Sequence, residues 1–384
     1  MPVPERRTWR VVGSPLVVAT GSGVLDGESI AVKDVFAVAG HRIGAGNPAW
    51  LEQAEPEGRH AVAVDQLLSA GASVLGIART DEFAYSLAGT NAHHGSPPNL
   101  RAPGRISGGS SSGSASAVST GQATIGLGTD TGGSIRVPSA YQGLWGIRTS
   151  HGAVDATGLM PLAPSFDTVG WMTKDAVLLG AVGTVLLPPD SAAPGRLVTS
   201  PALTSLADPD VSRSIARRTA AIDQVEWPLA PMPDWLAAFR ALQAWEAWRS
   251  HGTWLTGRLH TLGHDTRSRF EWAASVDPHV AAAAADEIAD ARVVIRALLG
   301  DQVLVLPSAS SVAPPLGDPA ALEAARRATM QLTCIAGIGG LAAVSVPIST
   351  DEGLPAGVCL IGPAGSDRAL IELAAAWSAD PRGL

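Results

Sequence analysis

One stretch of the chain, residues 105–149, limits the folds open to it more than any other part of the sequence. It is rich in glycine and serine, but a flexible linker of that composition has no apolar side chains to bury. Here apolar residues recur among the small ones: Ile106, Val118, Ile125, Leu127, Ile135, Val137, Leu144, Trp145 and Ile147. The pattern predicts closely packed backbone whose main-chain N–H groups converge on one place, where they stabilise negative charge.

Short apolar runs and helical patterns follow one another along the rest of the chain, which is typical of an α/β fold. The run 30–39 is strand-like, although Lys33 and Asp34 interrupt it. Residues 60–70 have helical spacing and end at a glycine, and residues 73–77 follow as a strand. Further strands are predicted at 301–307, 341–347 and 356–362, and helices at 233–299, 320–333 and 368–378.

Composition argues against several classes of protein. The net charge of −8 is not typical of a nucleic-acid-binding protein, which usually presents a basic face. The two cysteines, Cys334 and Cys359, form no disulfide framework and fit a reducing compartment. No apolar run is long enough for a signal peptide or a membrane-spanning helix. We therefore expect a cytoplasmic protein that binds neither nucleic acid nor a membrane.

Lysine is rare in this chain, since only Lys33 and Lys174 are lysines among its 27 basic residues. Arginine stays protonated in proteins, whereas a buried lysine can lose its proton. Lys33 lies in an apolar run, where burial would lower its pKa and equip the amine to act as a base. The alternative is that the two lysines survive by chance and that Lys33 is a charge on a surface strand.

Three other kinds of site fit the sequence less well. The glycines of residues 126–132 resemble the dinucleotide-binding pattern G-x-G-x-x-G only loosely, and no P-loop lysine lies nearby. No G-x-S-x-G motif is evident around the serine cluster, and none of the nine histidines has clear triad context. His93 and His94 have no companion ligands at metal-binding spacing, so we expect no metal site.

The remaining chemistry pairs a serine nucleophile with a neutral lysine. A second serine can carry the proton between them, because a hydroxyl both donates and accepts. The glycines within residues 130–134 permit a tight turn whose N–H groups would stabilise a tetrahedral oxyanion.

With these motifs the chain resembles the amidase signature family, whose enzymes use a Ser–cis-Ser–Lys triad. The matching segments are AVKDVF, GRISGGSSSGSASAVSTG, LGTDTGGSIRVPSAYQGLWGIRT, PLAPSFDTVGWMTKD, DQVLVLPS and GLPAGVCLIGP. The resemblance implies one α/β domain over residues 1–384, with a central mixed sheet flanked by helices on both faces. It also implies a catalytic core at about 25–175 and 300–384, and a variable helical region that shapes substrate binding at about 178–300.

By the same resemblance, each member of the triad has a counterpart in this chain. Ser134 is the nucleophile, Ser110 is the bridging serine that follows a cis peptide bond, and Lys33 is the base. Asp130 and Arg136 are structural residues that hold the turn around the nucleophile.

The remaining implied roles concern the substrate. Four successive backbone amides form the oxyanion hole: Thr131, Gly132, Gly133 and Ser134. The side chains implied to bind substrate are Tyr85, Ser86 and Thr129. Gln142 and Arg148 depart from the cysteine and lysine that are frequent in the family. The mechanism requires no metal and no organic cofactor.

The expected activity is hydrolysis of a small-molecule carboxylic acid amide through an acyl-enzyme on Ser134. The segments GHRIGAGNPAW and DEFAYSLAGTNAHHGSPPN are most similar to small amidases related to indole-3-acetamide hydrolase. Two alternatives stay open: the glutaminase subunit of a tRNA-dependent amidotransferase, and a non-catalytic binding protein on the same fold. A homodimer is also left open.

Overall fold

A computed structural model describes residues 5–380, and within that range the chain forms one sheet of eleven strands together with twelve α-helices. The strands are β1 (Trp9–Val17), β2 (Ser29–Lys33), β3 (Ser73–Ala78), β4 (Ile125–Thr129), β5 (Trp145–Arg148), β6 (Val169–Thr173), β7 (Leu197–Thr199), β8 (Asp223–Gln224), β9 (Val303–Pro307), β10 (Ala342–Ser349) and β11 (Pro355–Gly362). The helices are α1 (Pro48–Gln53), α2 (Val62–Ser69), α3 (Ser112–Ser119), α4 (Arg136–Gln142), α5 (Ala176–Leu186), α6 (Pro201–Thr204), α7 (Pro209–Arg218), α8 (Met232–Leu255), α9 (His264–Ser275), α10 (Pro278–Leu299), α11 (Pro319–Gly339) and α12 (Asp367–Ala379).

The sheet is mixed, as predicted. Its strands lie in the order β1-β3-β2-β4-β6-β5-β10-β11-β9-β7-β8. β2 pairs in parallel with β3 and β4, and β7 pairs in parallel with β8 and β9. The other neighbouring strands are antiparallel.

Helices cover both faces of the sheet, because alternate side chains of a strand point to opposite faces. On β9, Val303 and Val305 belong to one hydrophobic core, which includes residues of α2, α5 and α12. Leu304 and Leu306 belong to a second core, which includes residues of α8, α9, α10 and α11. Strands buried on both faces are continuously apolar, which explains the pattern VLVLP of β9. The predicted fold class, a central mixed sheet flanked by helices on both faces, is confirmed.

β2 is shorter than the strand predicted over residues 30–39, because the backbone turns at Lys33. The N–H groups of Val35 and Phe36 both donate to the Lys33 carbonyl, at 2.7 and 3.1 Å. The next side chain, Asp34, pairs with Arg10 at 2.8 Å. Lys33 therefore ends a central strand of the sheet, and strand ends are where α/β proteins commonly bind ligands.

α11 is longer than the helix predicted over residues 320–333, because it continues through glycines to Gly339. A side chain at Gly337 would lie 3.3 Å from both the Phe239 ring and the Thr131 carbonyl oxygen. The glycine there allows α11 to approach α8 and the turn after β4, so close packing rather than a helix break accounts for it.

The region 178–300 is not only helical, since β7 and β8 lie in it and extend the sheet beside β9. Its helices α8, α9 and α10 pack on the second core. Among the helices within residues 5–380, none has the length and apolar character needed to span a membrane.

Candidate active site

Lys33 is completely buried at the end of β2, where its amine contacts two hydroxyl groups. Nζ donates to Ser110 Oγ at 2.8 Å and to Thr129 Oγ1 at 2.6 Å. The second contact arises because β2 pairs in parallel with β4, which ends at Thr129. Burial lowers the pKa of Lys33 to about 7, although nearby carboxylates favour the protonated amine. A substantial fraction of the amine is therefore neutral near pH 7.

The backbone at Ser110 and at the preceding residue is held by hydrogen bonds. Its peptide bond to Gly109 is cis. The Ser110 carbonyl accepts a hydrogen bond from Thr80 Oγ1 at 2.8 Å, and the Gly109 N–H donates to the Leu87 carbonyl at 2.9 Å. A side chain at Gly109 would lie 2.4 Å from Asp81 Oδ2, so this position admits only glycine without rearrangement.

Other serines of the stretch are structural, because their hydroxyls donate to backbone carbonyls. Ser111 Oγ donates to the Thr129 carbonyl at 3.2 Å, and Ser114 Oγ donates to the Leu127 carbonyl at 3.0 Å. A side chain at Gly128 would lie 2.5 Å from Ser111 Oγ. These contacts confirm the predicted close packing of small residues.

Ser134 lies in the turn between β4 and α4, which the Asp130 carboxylate organises. Oδ1 accepts from the Gly133 N–H at 2.8 Å, and Oδ2 accepts from the N–H groups of Ile135 and Arg136 at 3.1 and 3.2 Å. Gly133 has a φ of +123°, which a residue with a side chain rarely adopts. Ser134 itself is 3% exposed and lines a cavity.

Two buried guanidinium groups neutralise Asp130. Arg136 binds it through two nitrogens, with Nη2 2.8 Å from Oδ1 and Nε 3.1 Å from Oδ2. Arg148 Nη1 lies 3.3 Å from Oδ1 and also donates to the Asp130 carbonyl. Burial alone would raise the pKa of Asp130, but the two guanidinium groups hold it well below its usual range. Asp130 therefore stays ionised and fixes the turn.

The backbone amides expected to form the oxyanion hole are not equivalent. The Gly133 N–H is already engaged by Asp130. The N–H groups of Thr131, Gly132 and Ser134 have no hydrogen-bond partner within residues 5–380. Three of the four predicted donors are therefore free to bind an oxyanion, and the fourth is held by the carboxylate that shapes the turn.

Ser134 lines a cavity that opens to solvent, with about 620 Å³ of unoccupied space when the solvent at its mouth is included. Tyr85 and Ser86, two of the side chains predicted to bind substrate, line it, and Thr131 and Gly132 form part of its wall. Thr129, the third side chain predicted to bind substrate, is not among the lining residues; its hydroxyl accepts a hydrogen bond from the Lys33 amine. The structure thus brings Lys33, Ser110 and Thr129 together, and places Ser134 with Tyr85 and Ser86.

Sequence reasoning did not single out three arginines that also line the cavity: Arg240, Arg269 and Arg326. They come from α8, α9 and α11. Arg240 is one helical turn from Gln243, and Arg269 is one turn from Trp272; both partners line the cavity as well. The one-turn spacing is present in the sequence. Arginines on solvent-exposed helix faces have the same spacing, so it did not identify these residues as part of a cavity.

Comparisons with known proteins point to one family. Residues 18–218 match the family model described as Amidase. The protein "Amidase 1" from Arabidopsis thaliana is 34% identical, over 95% of this chain and 95% of that protein. "Translocon at the outer membrane of chloroplasts 64" from Pisum sativum is 31% identical, over 90% of this chain and 64% of that protein. A solved structure described as "Crystal structure of amidase" is similar with a TM-score of 0.84 and 29% identity, over 93% of this chain and 85% of that one.

Proposed function

The chain belongs to the amidase family, and from this premise we propose that it hydrolyses a carboxylic acid amide through an acyl-enzyme on Ser134. The observation that carries the proposal is the buried hydrogen bond of 2.8 Å between the Lys33 amine and the Ser110 hydroxyl. A buried lysine without an ion-pair partner is costly, and a catalytic base is a function that repays this cost.

Acylation begins with the neutral Lys33 amine as the general base. In this state the amine accepts the Ser110 proton, and Ser110 accepts the proton of Ser134, whose Oγ attacks the amide carbonyl carbon. The resulting oxyanion accepts hydrogen bonds from the free amides of Thr131 and Gly132, and from the amide of Ser134 itself.

Collapse of the tetrahedral intermediate breaks the carbon–nitrogen bond. The proton held by Lys33 returns through Ser110 to the nitrogen, which leaves as ammonia or an amine. The acyl group stays on Ser134 as an ester. Water, deprotonated by the same relay, then hydrolyses this ester, so that amide and water give acid and ammonia or amine.

The relative named for a chloroplast translocon gives a second candidate, a binding protein that does not catalyse. Three groups that a binding protein would not need speak against it: Lys33, Ser110 and Ser134 are all present, and the first two are in contact.

The test is ammonia release from indole-3-acetamide, phenylacetamide, short aliphatic amides, glutamine and a urea-type carboxamide. We expect at least one to be hydrolysed by the wild type and none by Ser134→Ala. Ser119→Ala is the control, because Ser119 lies in the same serine-rich stretch but donates to Gln142 instead of the relay.

A fluorophosphonate probe separates the two candidates without knowledge of the substrate. The amidase is labelled on Ser134, as peptide mass spectrometry would show, and the Lys33→Met variant is labelled slowly. A folded wild-type protein that releases no ammonia and takes no label would be the binding protein instead.

A further inference from the structure

The cavity that contains Ser134 is unusually rich in positive charge. Arg240, Arg269 and Arg326 reach it from three different helices. Within residues 5–380, no aspartate or glutamate lines the same cavity. Three guanidinium groups beside a nucleophile are notable in a chain whose net charge is −8.

Only one of the three arginines is neutralised by a carboxylate. Arg326 forms two hydrogen bonds of 2.8 Å with Glu323, one helical turn earlier on α11. Arg269 Nη1 donates to the Tyr85 carbonyl at 2.8 Å, but Arg269 forms no ion pair with any residue between 5 and 380. Arg240 has neither an ion pair nor a hydrogen bond in that range; its guanidinium lies 5.4 Å from the centre of the Trp272 ring.

Arg326 and Arg269 repel each other in a partly enclosed space, even though Arg326 is also paired with Glu323. Burial, followed by the charge of Arg326, lowers the pKa of Arg269, and the carboxylates of Asp265 and Asp81 oppose this shift only in part. A bound anion would relieve the repulsion, and a planar carboxylate matches the donor geometry of guanidinium groups.

Arg269 is also held in position, because α9 is anchored to the segment that carries Tyr85. Glu82 is buried, and its Oε2 accepts from the N–H of Gly263, which caps α9, at 2.9 Å. Its Oε1 accepts from Asn47 Nδ2 at 2.8 Å. Arg269 is thereby held on the cavity wall by its own helix and by its bond to Tyr85.

We propose that the amide hydrolysed at this site carries a carboxylate at the end of its acyl group remote from the scissile bond, and that Arg240 and Arg269 bind this carboxylate. The inference rests on the proposed function and adds the class of substrate to it. Tyr85, Trp272 and Met330 give the same cavity apolar and aromatic wall, so the acyl group between amide and carboxylate is apolar.

The test compares amides that differ only in the remote charge. One pair is phenylacetamide and its para-carboxylate, and the other is pentanamide and glutaramate. We expect kcat/KM for ammonia release to be higher for the carboxylate member by about tenfold or more, which is the effect of one or two charged hydrogen bonds. Raised salt should reduce this ratio.

Arg240→Gln and Arg269→Gln should each remove most of the preference, mainly by raising KM for the carboxylate member of each pair. Arg240→Gln should fold like the wild type, because Arg240 is exposed and makes no hydrogen bond within residues 5–380. It therefore keeps the test valid where Arg269→Gln fails to fold. The matched control is Arg249→Gln, on the same helix α8 but outside this cavity, which should leave the ratio unchanged.

Binding to the Ser134→Ala variant, measured by calorimetry, separates this inference from the proposed activity. Tighter binding of the carboxylate member supports the inference even where no amide is hydrolysed, in which case the activity alone is refuted. The inference is overturned if the carboxylate member binds equally or more weakly, or if an active enzyme hydrolyses the neutral amides faster. In either case the proposed amidase activity is not refuted.

Discussion

Two buried charged groups lie at the ends of adjacent strands, Lys33 at the end of β2 and Asp130 directly after β4. Both are completely buried. Among residues 5–380, the Lys33 amine forms hydrogen bonds only with the hydroxyls of Ser110 and Thr129, which carry no charge. Asp130 contacts guanidinium groups and backbone N–H groups instead. The two groups are therefore buried to the same degree but differ in their hydrogen-bond partners.

The partners determine what each group can do. Without an opposite charge in contact, burial makes the protonated form of Lys33 unfavourable, and its pKa falls to about 7, where it can exchange a proton. With Arg136 and Arg148 in contact, Asp130 keeps its charge over the whole physiological range of pH. The first arrangement suits a base and the second suits a permanent structural tie.

The largest expected effect is the loss of activity in Lys33→Met. Removing the proposed general base should lower kcat/KM by about a thousandfold. The fold should survive, because methionine fills the space with an apolar chain and removes a buried amine. Amide hydrolysis and urea-induced unfolding measure the two quantities.

Lys174→Met is the matched control for Lys33→Met, since it replaces the other lysine of the chain, which is exposed. It should hydrolyse amides like the wild type. Equal activity in Lys33→Met and Lys174→Met would show that Lys33 is not the base.

The second effect is on stability, in Asp130→Asn. This change leaves the buried guanidinium groups of Arg136 and Arg148 without their counter-charge, so the free energy of unfolding should fall by about 3 kcal/mol or more. Asp223→Asn breaks the exposed ion pair with Arg196 and should cost less than about 1 kcal/mol. Similar losses in the two variants, measured in urea, would mean that the buried network contributes no more than a surface pair.

The third and smallest effect is the dependence of activity on pH. Because the proposed base is the neutral amine, kcat/KM should be highest above about pH 7 and should fall as pH decreases, by about tenfold per pH unit well below that value. A profile that stays flat between pH 6 and 9 would contradict the assignment of Lys33.

Stability should rise with pH at both groups, but in two different ranges of pH. Between about pH 7 and pH 10, the unfolded chain keeps the Lys33 proton and the folded chain does not, so the contribution of Lys33 to the free energy of unfolding rises with pH. The amount by which the free energy of unfolding of Lys33→Met exceeds that of the wild type should therefore decrease across this range. The contribution of Asp130 is present at neutral pH and is lost as pH falls below about 4.

Much of the fold could be predicted, because strong local patterns coincide with the elements found. The helical pattern at 60–70 became α2 (Val62–Ser69), and the apolar run at 356–362 became β11 (Pro355–Gly362). The predictions differed from the structure where tertiary contacts overrode local preference. Gly337 of α11 packs against Phe239 instead of ending the helix, and the two-residue strand β8 pairs with β7 at the edge of the sheet.

The sequence by itself determined which residues are available for chemistry: two lysines, a serine-rich stretch, and glycines where no side chain fits. Tertiary structure alone decided how they are used. It placed hydroxyls on the Lys33 amine, assigned the Gly133 amide to Asp130, and gathered arginines from three helices around one cavity. The physical reason is that burial and contact between distant segments set the charge of a group, and no local pattern encodes either.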